Sequence, residues 1–194
     1  MATSPIGEIS MTGFTLMRDI DNEFSTSGLV TGKITSATHK EPTPTNLIAA
    51  ISDMETAYTA AAGAAPDSHE LVDGGLTGQT LAPGVYKWNN AVSFSDQLIF
   101  NGTASDIWIL QLAKTLEVAS GAEVILAGGA KAENIFWQIA EAVEFGIGST
   151  VNGIFLVKTA IDFKAGSTLN GAALAQTAVT MIATTVNYRG LMDT

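Results

Sequence analysis

The stretch Gly148 to Ala183 decides the fold, because it repeats itself. Residues 148–165 read GSTVNGIFLVKTAIDFKA and residues 166–183 read GSTLNGAALAQTAVTMIA. Laid one over the other, with Gly166 on Gly148, they share Gly-Ser-Thr, then Asn-Gly, then Thr-Ala in register. A long helix has no use for two Asn-Gly pairs, whereas a coil of short strands joined by tight turns does. Strand 150–152 with its Asn-Gly turn, strand 154–158 and strand 160–164 complete one such coil. Stacked coils make a parallel β-solenoid, each pairing with its neighbours about 4.8 Å away.

The register runs on towards the N-terminus. Residues 135–145 (IFWQIAEAVEF) lie one such period before 153–163, and residues 108–118 (WILQLAKTLEV) precede 135–145 by a longer interval. The longer interval predicts a larger corner around Ala127, Gly128, Gly129 and Ala130. Residues 85–100 follow the pattern more loosely, with Ala91 to Phe94 opposite Thr115 to Val118. At least five coils can be drawn, above the three or so that such folds need.

Alternation along the strands assigns the faces. In the strand that ends each repeat, Val92 and Phe94, Leu116 and Val118, Val143 and Phe145, Ile161 and Phe163, and Val179 and Met181 point inward. Their outward neighbours are Ala91 and Ser93, Thr115 and Glu117, Ala142 and Glu144, Ala160 and Asp162, and Ala178 and Thr180, with Thr159 and Thr177 beside them. That is a flat column of small and oxygen-bearing side chains. Its stacked carboxylates Glu117, Glu144 and Asp162 should repel one another, so threonine in their place is expected to stabilise the coils. In the preceding strand the outward set is Ile109, Phe136, Ile154, Leu156 and Leu174, too apolar to face water uncovered.

A cover is available. Leu47, Ile51, Met54, Tyr58 and Ala61 fall on one stripe at helical spacing. Thr43 is placed to cap this helix, Pro44 suits its first position and Gly63 its end, giving a helix over about 45–62. Before it, residues 10–16 and 29–34 read as β-rich runs interrupted by glycine. Residues 64–80 read as a loop leading to the first coil at about 81, and the coils extend to about 186.

Composition narrows the function. The chain has 194 residues, 46% hydrophobic and 14% charged, enough for one substantial core. A net charge of −10 with nine basic residues argues against nucleic acid or an anionic membrane as partner. There are no cysteines, hence no disulfides or thiolate metal sites. No apolar run is long enough to span a bilayer as a helix. The opening Met1-Ala2-Thr3-Ser4-Pro5 has no basic segment followed by an apolar core, so no signal peptide is visible. His39 and His69 stand far apart in loop-like sequence, without metal-ligand spacing, and read as exposed loop histidines. Trp88, Trp108 and Trp137 alternate with core positions, which favours packing over display.

Residues 81–88 (LAPGVYKW), 106–111 (DIWILQ), 134–138 (NIFWQ) and 169–180 (LNGAALAQTAVT) together resemble the DUF3494 family of ice-binding (antifreeze) proteins of cold-adapted microbes. The likeness covers nearly the whole chain, from Ser4 to about Val186. It implies a single domain over 1–194, an irregular, discontinuous right-handed parallel β-solenoid of triangular cross-section with one long α-helix packed alongside. It also implies a secreted, monomeric protein without cofactor or catalysis, whose partner is the ice surface and its ordered water. The face expected to meet ice comprises Ala91, Ser93, Thr115, Glu117, Ala142, Glu144, Thr159, Ala160, Asp162, Thr177, Ala178 and Thr180. Should that face not be the site, the row Thr150, Asn152, Thr168 and Asn170 is the next place to look. Thr177-Ala178-Val179-Thr180 fits the Thr-Ala-x-Thr element of some similar proteins. The chain departs from the family in lacking a strand-rich stretch before Ser4, which implies a shortened N-terminus, and in having Ala172 where arginine often follows Leu-Asn-Gly. The acidic members of the column leave a second reading open, an extracellular adhesion or polysaccharide-active β-helix using Glu117, Glu144 and Asp162.

Overall fold

A computed structural model describes residues 1–188. The chain divides into two compact units, Met1–Thr56 and Ala57 onward.

The first unit is a small four-stranded sheet in the spatial order Ala2–Thr3, Val30–Ser36, Ser25–Ser27, Met17–Arg18. Residues 10–16 form no strand. Glu8–Ser10 is a 3-10 turn and Gly13 takes φ 84°, a conformation that breaks an extended run. His39 is not an exposed loop residue. It is buried, its Nδ1 accepting the Ser36 N–H at 2.9 Å and its Nε2 lying 3.1 Å from Ser25 Oγ and 3.3 Å from Glu8. The helix starts at Thr43 and ends at Gly63. Thr43 does not cap it through its side chain; its hydroxyl donates to the Glu23 carbonyl at 2.9 Å. Leu47, Ile51, Met54, Tyr58 and Ala61 are the less exposed stripe, as their spacing predicts.

The second unit is the solenoid, and every coil-to-coil pairing in it is parallel. Three faces recur. The first stacks Gly84–Trp88, Trp108–Leu112 and Ile135–Ile139, then 154–157 and 172–175. The second stacks Val92–Phe94, Leu116–Val118, Val143–Phe145, Ala160–Phe163 and Ala178–Met181. The third stacks Thr80–Leu81, Gln97–Asn101 and Glu123–Ala127, then 150–152, 168–170 and Thr185–Asn187. The register read from the repeats holds throughout: Phe136 opposes Ile154, and Glu117 lies between Ser93 and Glu144.

Residues 64–80 are not a plain loop. Ser68–His69 pairs with Tyr86 and Lys87, and Gly75 bridges to Ser93, so a thin coil precedes the one expected at 81. It is held largely by backbone bonds such as Asp67 N to Val85 O (2.8 Å) and Leu76 N to Ser93 O (2.8 Å). His69 is exposed within it.

The Asn-Gly pairs also differ from the turns their composition suggests. Each sits inside one continuous strand, Thr150–Val157 or Thr168–Ala175, which bends from the third face to the first. Gly153 takes φ 130°, and a Cβ there would fall 2.7 Å from Trp137 Nε1 and 2.9 Å from Ile135 O. The asparagines form an internal ladder. Asn187 Nδ2 donates to Asn170 Oδ1 (3.1 Å), Asn170 Nδ2 to Asn152 Oδ1 (3.2 Å) and Asn152 Nδ2 to Val124 O (2.7 Å). The buried amide of Asn152 and the half-buried one of Asn170 thereby keep hydrogen bonds at their bends.

The interior is filled by the inward residues of all three faces. Phe145 contacts Phe155 edge-on at 5.0 Å and Phe163 at 4.7 Å, and Trp137 stacks on Phe155 at 5.3 Å. Trp88, Trp108 and Trp137 are fully buried, and each indole N–H donates to a carbonyl, of Leu71, Leu81 and Asn152 in turn. Their surface is thus spent on packing, not display. Val179 and Met181 keep the inward register but are 39% and 37% exposed, since no described strand stacks beyond Ala178–Met181.

Candidate functional site

The second face is built of strands of three or four residues, bulky at their inward positions and small or polar at their outward ones. Val92, Phe94, Leu116, Val118, Val143, Phe145, Ile161 and Phe163 are at most 2% exposed and anchor their strands from beneath. With strands about 4.8 Å apart and alternate residues about 6.7 Å apart along each strand, the outward side chains occupy a two-dimensional grid.

Two columns make up that grid. In one, Ala160 lies directly beside Ala178, and the same register brings Ala91, Thr115 and Ala142 into line. In the other, Ser93, Glu117, Glu144, Asp162 and Thr180 are successive partners. Thr159 and Thr177 flank the alanine column, joined by Thr177 N donating to Thr159 O at 3.1 Å. Every residue expected from the sequence therefore lies on one face. Ser93, Glu117, Glu144, Thr177, Ala178, Thr180 and Ala91 are exposed. Thr115, Ala142, Thr159, Ala160 and Asp162 are half-buried between neighbours.

The acidic column is more nearly neutral than its composition suggests. Lys164, just past the end of its strand, turns back onto the face. It bonds to Asp162 and reaches Glu144 at 3.2 Å, while the Thr180 hydroxyl donates to Asp162. Lys164 and then Thr180 hold the Asp162 carboxyl below the usual carboxylate range. Asp162 and then Glu144 raise the Lys164 ammonium above its ordinary value. The stack is thus a cross-linked network. The expectation that threonine at all three carboxylates stabilises the coils loses its basis, because that change removes both of Lys164's partners. Glu117 is outside the network.

The sequence reading missed Lys164's role, since two-residue alternation places it on the same side as Asp162 but says nothing of which way a long side chain turns. It also missed Thr77 and Ser95, whose hydroxyls lie 3.3 Å apart where the thin first coil meets the second face. The alternative row Thr150, Asn152, Thr168 and Asn170 on the third face is not a displayed set, because its two asparagines belong to the internal ladder. Among the described residues no group of three or more His, Asp or Glu is placed to hold a metal ion, and no helix is long and apolar enough to cross a membrane.

The fold is that of a parallel β-solenoid with one face of small outward residues, and the chain belongs to the ice-binding-like family, whose model matches residues 1–187. It is 46% identical over 157 residues to ice-binding protein K3-B1 of Typhula ishikariensis, covering 80% of this chain and 65% of that protein. It is 42% identical to an ice-binding protein of Leucosporidium sp. (strain AY30), over 80% of this chain and 60% of that one. The chain therefore aligns with less than two thirds of the length of these relatives. Among solved structures, a glycosylated ice-binding protein (LeIBP) from an Arctic yeast superposes with a TM-score of 0.96 at 41% identity, over 98% of this chain and 82% of that one.

Proposed function

We propose that this chain is a non-enzymatic antifreeze domain that adsorbs to ice through the second face and so inhibits ice growth and recrystallisation. The observation that carries this reading is the in-register column Ala91, Thr115, Ala142, Ala160 and Ala178, which runs across five coils without a protruding side chain. Many weak contacts act together only where approach is close over an area, and a backbone grid fixed by its own core is ordered before ice is met. Thr177 and Thr180 at one end, Thr115 within and Ser93 at the other supply hydroxyls, that of Thr180 donating to Asp162. The acidic network at Glu144 and Asp162 is held by Lys164, so two of the column's three carboxylates are not free to organise water independently. Kinship with proteins named for ice binding supports the same reading, and no comparison supports an adhesion or polysaccharide-active module.

We further propose that residues 1–194 act as one domain, as an exported monomer. Thermal hysteresis and ice shaping by the purified chain test the function, and sedimentation tests the monomer. A folded chain that leaves ice crystals as unfaceted discs with no hysteresis gap would sink the reading.

A further inference from the structure

Asn101 is followed by Gly102 and Thr103, and no other asparagine of the sequence has serine or threonine two residues on. Asn-x-Thr is the acceptor sequence for N-linked glycans, and an occupied acceptor has to remain on the surface of the folded protein. The fold treats this asparagine unlike the other two that precede glycine. Asn152 and Asn170 commit their Nδ2 atoms to the internal ladder. Asn101 is exposed, and its Nδ2 has no hydrogen-bond partner among the described residues.

The surroundings keep the amide accessible. Asn101 ends the strand Gln97–Asn101, and Gly102 N donates to Ala127 O at 3.2 Å in the following coil. The chain then leaves the ladder in a turn in which Thr103 N donates to Asp106 Oδ2 (2.7 Å) and Asp106 N to Thr103 O (3.3 Å). Thr103 is exposed as well. Alongside, Gly128 makes room: a Cβ at that position would fall 2.8 Å from Asn101 Oδ1. This corner joins the third face to the first. In a three-sided coil it is the corner opposite the second face, so a glycan attached here points away from the alanine column.

We propose that Asn101 is an N-glycosylation site, its glycan projecting from the corner opposite the adsorbing face. The donor class is a lipid-linked oligosaccharide diphosphate. The Asn101 Nδ2–C1 bond forms as the bond from the sugar's C1 to the diphosphate oxygen breaks; the Nδ2 proton passes to a base of the transferase and the lipid diphosphate leaves. The proposal rests on the export reading, so the test supplies its own export. The full chain is secreted from yeast behind the host's leader and analysed by intact mass and endoglycosidase digestion. The wild type is expected to carry one endoglycosidase-sensitive glycan that is absent in Asn101→Gln and Thr103→Ala and retained in Thr103→Ser, with all variants melting alike. Thermal hysteresis is expected to be the same before and after digestion. A secreted wild type of unmodified mass, or a glycan that persists in Asn101→Gln, overturns the proposal. A glycosylated wild type without hysteresis leaves the site standing and fails the ice-binding reading instead.

Discussion

The first and second faces of the solenoid obey one alternation rule and end with opposite exteriors. On the second face the outward residues are small, polar or charged: Ala91, Ser93, Glu117, Glu144, Ala178 and Thr180 are exposed, and Thr115, Ala142, Ala160 and Asp162 are half-buried between their neighbours. On the first, the outward Ile109, Phe136 and Ile154 are half-buried, Leu156 is 2% exposed and Gln111 and Gln138 are buried, whereas Leu174, expected to be covered with them, is 37% exposed in the last strand of this face. At Gln111 the cover is visible: its Nε2 donates to the carbonyls of Ala61 and Ala64, both at 2.7 Å, so the last turn of the helix is pinned to this face. Outward residues therefore report what a face meets. Apolar ones and a helix-binding glutamine mark a covered face, and small ones mark a face kept flat.

The largest effect is expected from treating the covered face as if it were open. Leu156→Asp places a carboxylate where there is no water and no partner, and should cost at least about 3 kcal/mol, read as a large fall in Tm. A variant that melts with the wild type would show that the first face is accessible after all.

The same exercise on the second face should cost activity and not stability. Ala160→Tyr puts a ring in the middle of the flat column with its side chain directed to solvent. It should remove most of the hysteresis while stability stays within about 0.5 kcal/mol, the usual range for surface changes. Retained hysteresis with an intact circular dichroism spectrum would move the adsorbing site off this face.

Gln111→Ala tests the pin between helix and coil. It leaves the Ala64 carbonyl without this donor and the Ala61 carbonyl with only the Ala64 N–H at 3.4 Å, and should cost about 1–3 kcal/mol by thermal or denaturant melting, with hysteresis altered only as far as stability falls. If hysteresis collapses in a variant that remains folded at the assay temperature, the first face takes part in adsorption.

Smaller effects resolve the second face further. Glu117→Thr removes the carboxylate outside the Lys164 network and relieves repulsion worth roughly a few tenths of a kcal/mol from the neighbouring Glu144. A modest rise in hysteresis is expected, and a fall would make Glu117 a contact residue. The smallest response should be to pH. The depressed Asp162 value means its ion pair contributes above the ordinary carboxylate range and is lost only as pH falls through the lowered value. The raised Lys164 value means the pair is present below the ordinary lysine range and is lost only as pH rises through the raised value. Between about pH 4 and about pH 10 the face should keep its geometry and its hysteresis. A hysteresis that changes steeply inside that window would show that the network does not set the face.

The coil register was legible because a close repeat with two landmark glycines leaves few ways to stack its strands. The members of the second face followed, since a period of two assigns each side chain once its neighbour is known to be core. Other features carry no such periodicity. The coil at 68–81 is held largely by backbone bonds, with isolated side chains of Asp67, Glu70 and Thr77 adding to them at no repeating interval, so it resembled a loop. His39 is buried by contacts with Glu8, Ser25 and Ser36, partners scattered along the chain that meet only after folding. The asparagine ladder was visible as two Asn-Gly pairs, but their composition suggested a turn, and only the bent strands reveal that the amides point inward.

That ladder also has a direction. Each amide gives its hydrogen to the coil before it, from Asn187 through Asn170 and Asn152 to Val124. A duplicate of the block 148–165 inserted at this point would receive the bond from one side and hand it on at the other, without a new kind of junction. The protein is in this respect a modular ruler, whose second face can lengthen in whole-coil increments by gene duplication or by design while the amide ladder continues through each added coil.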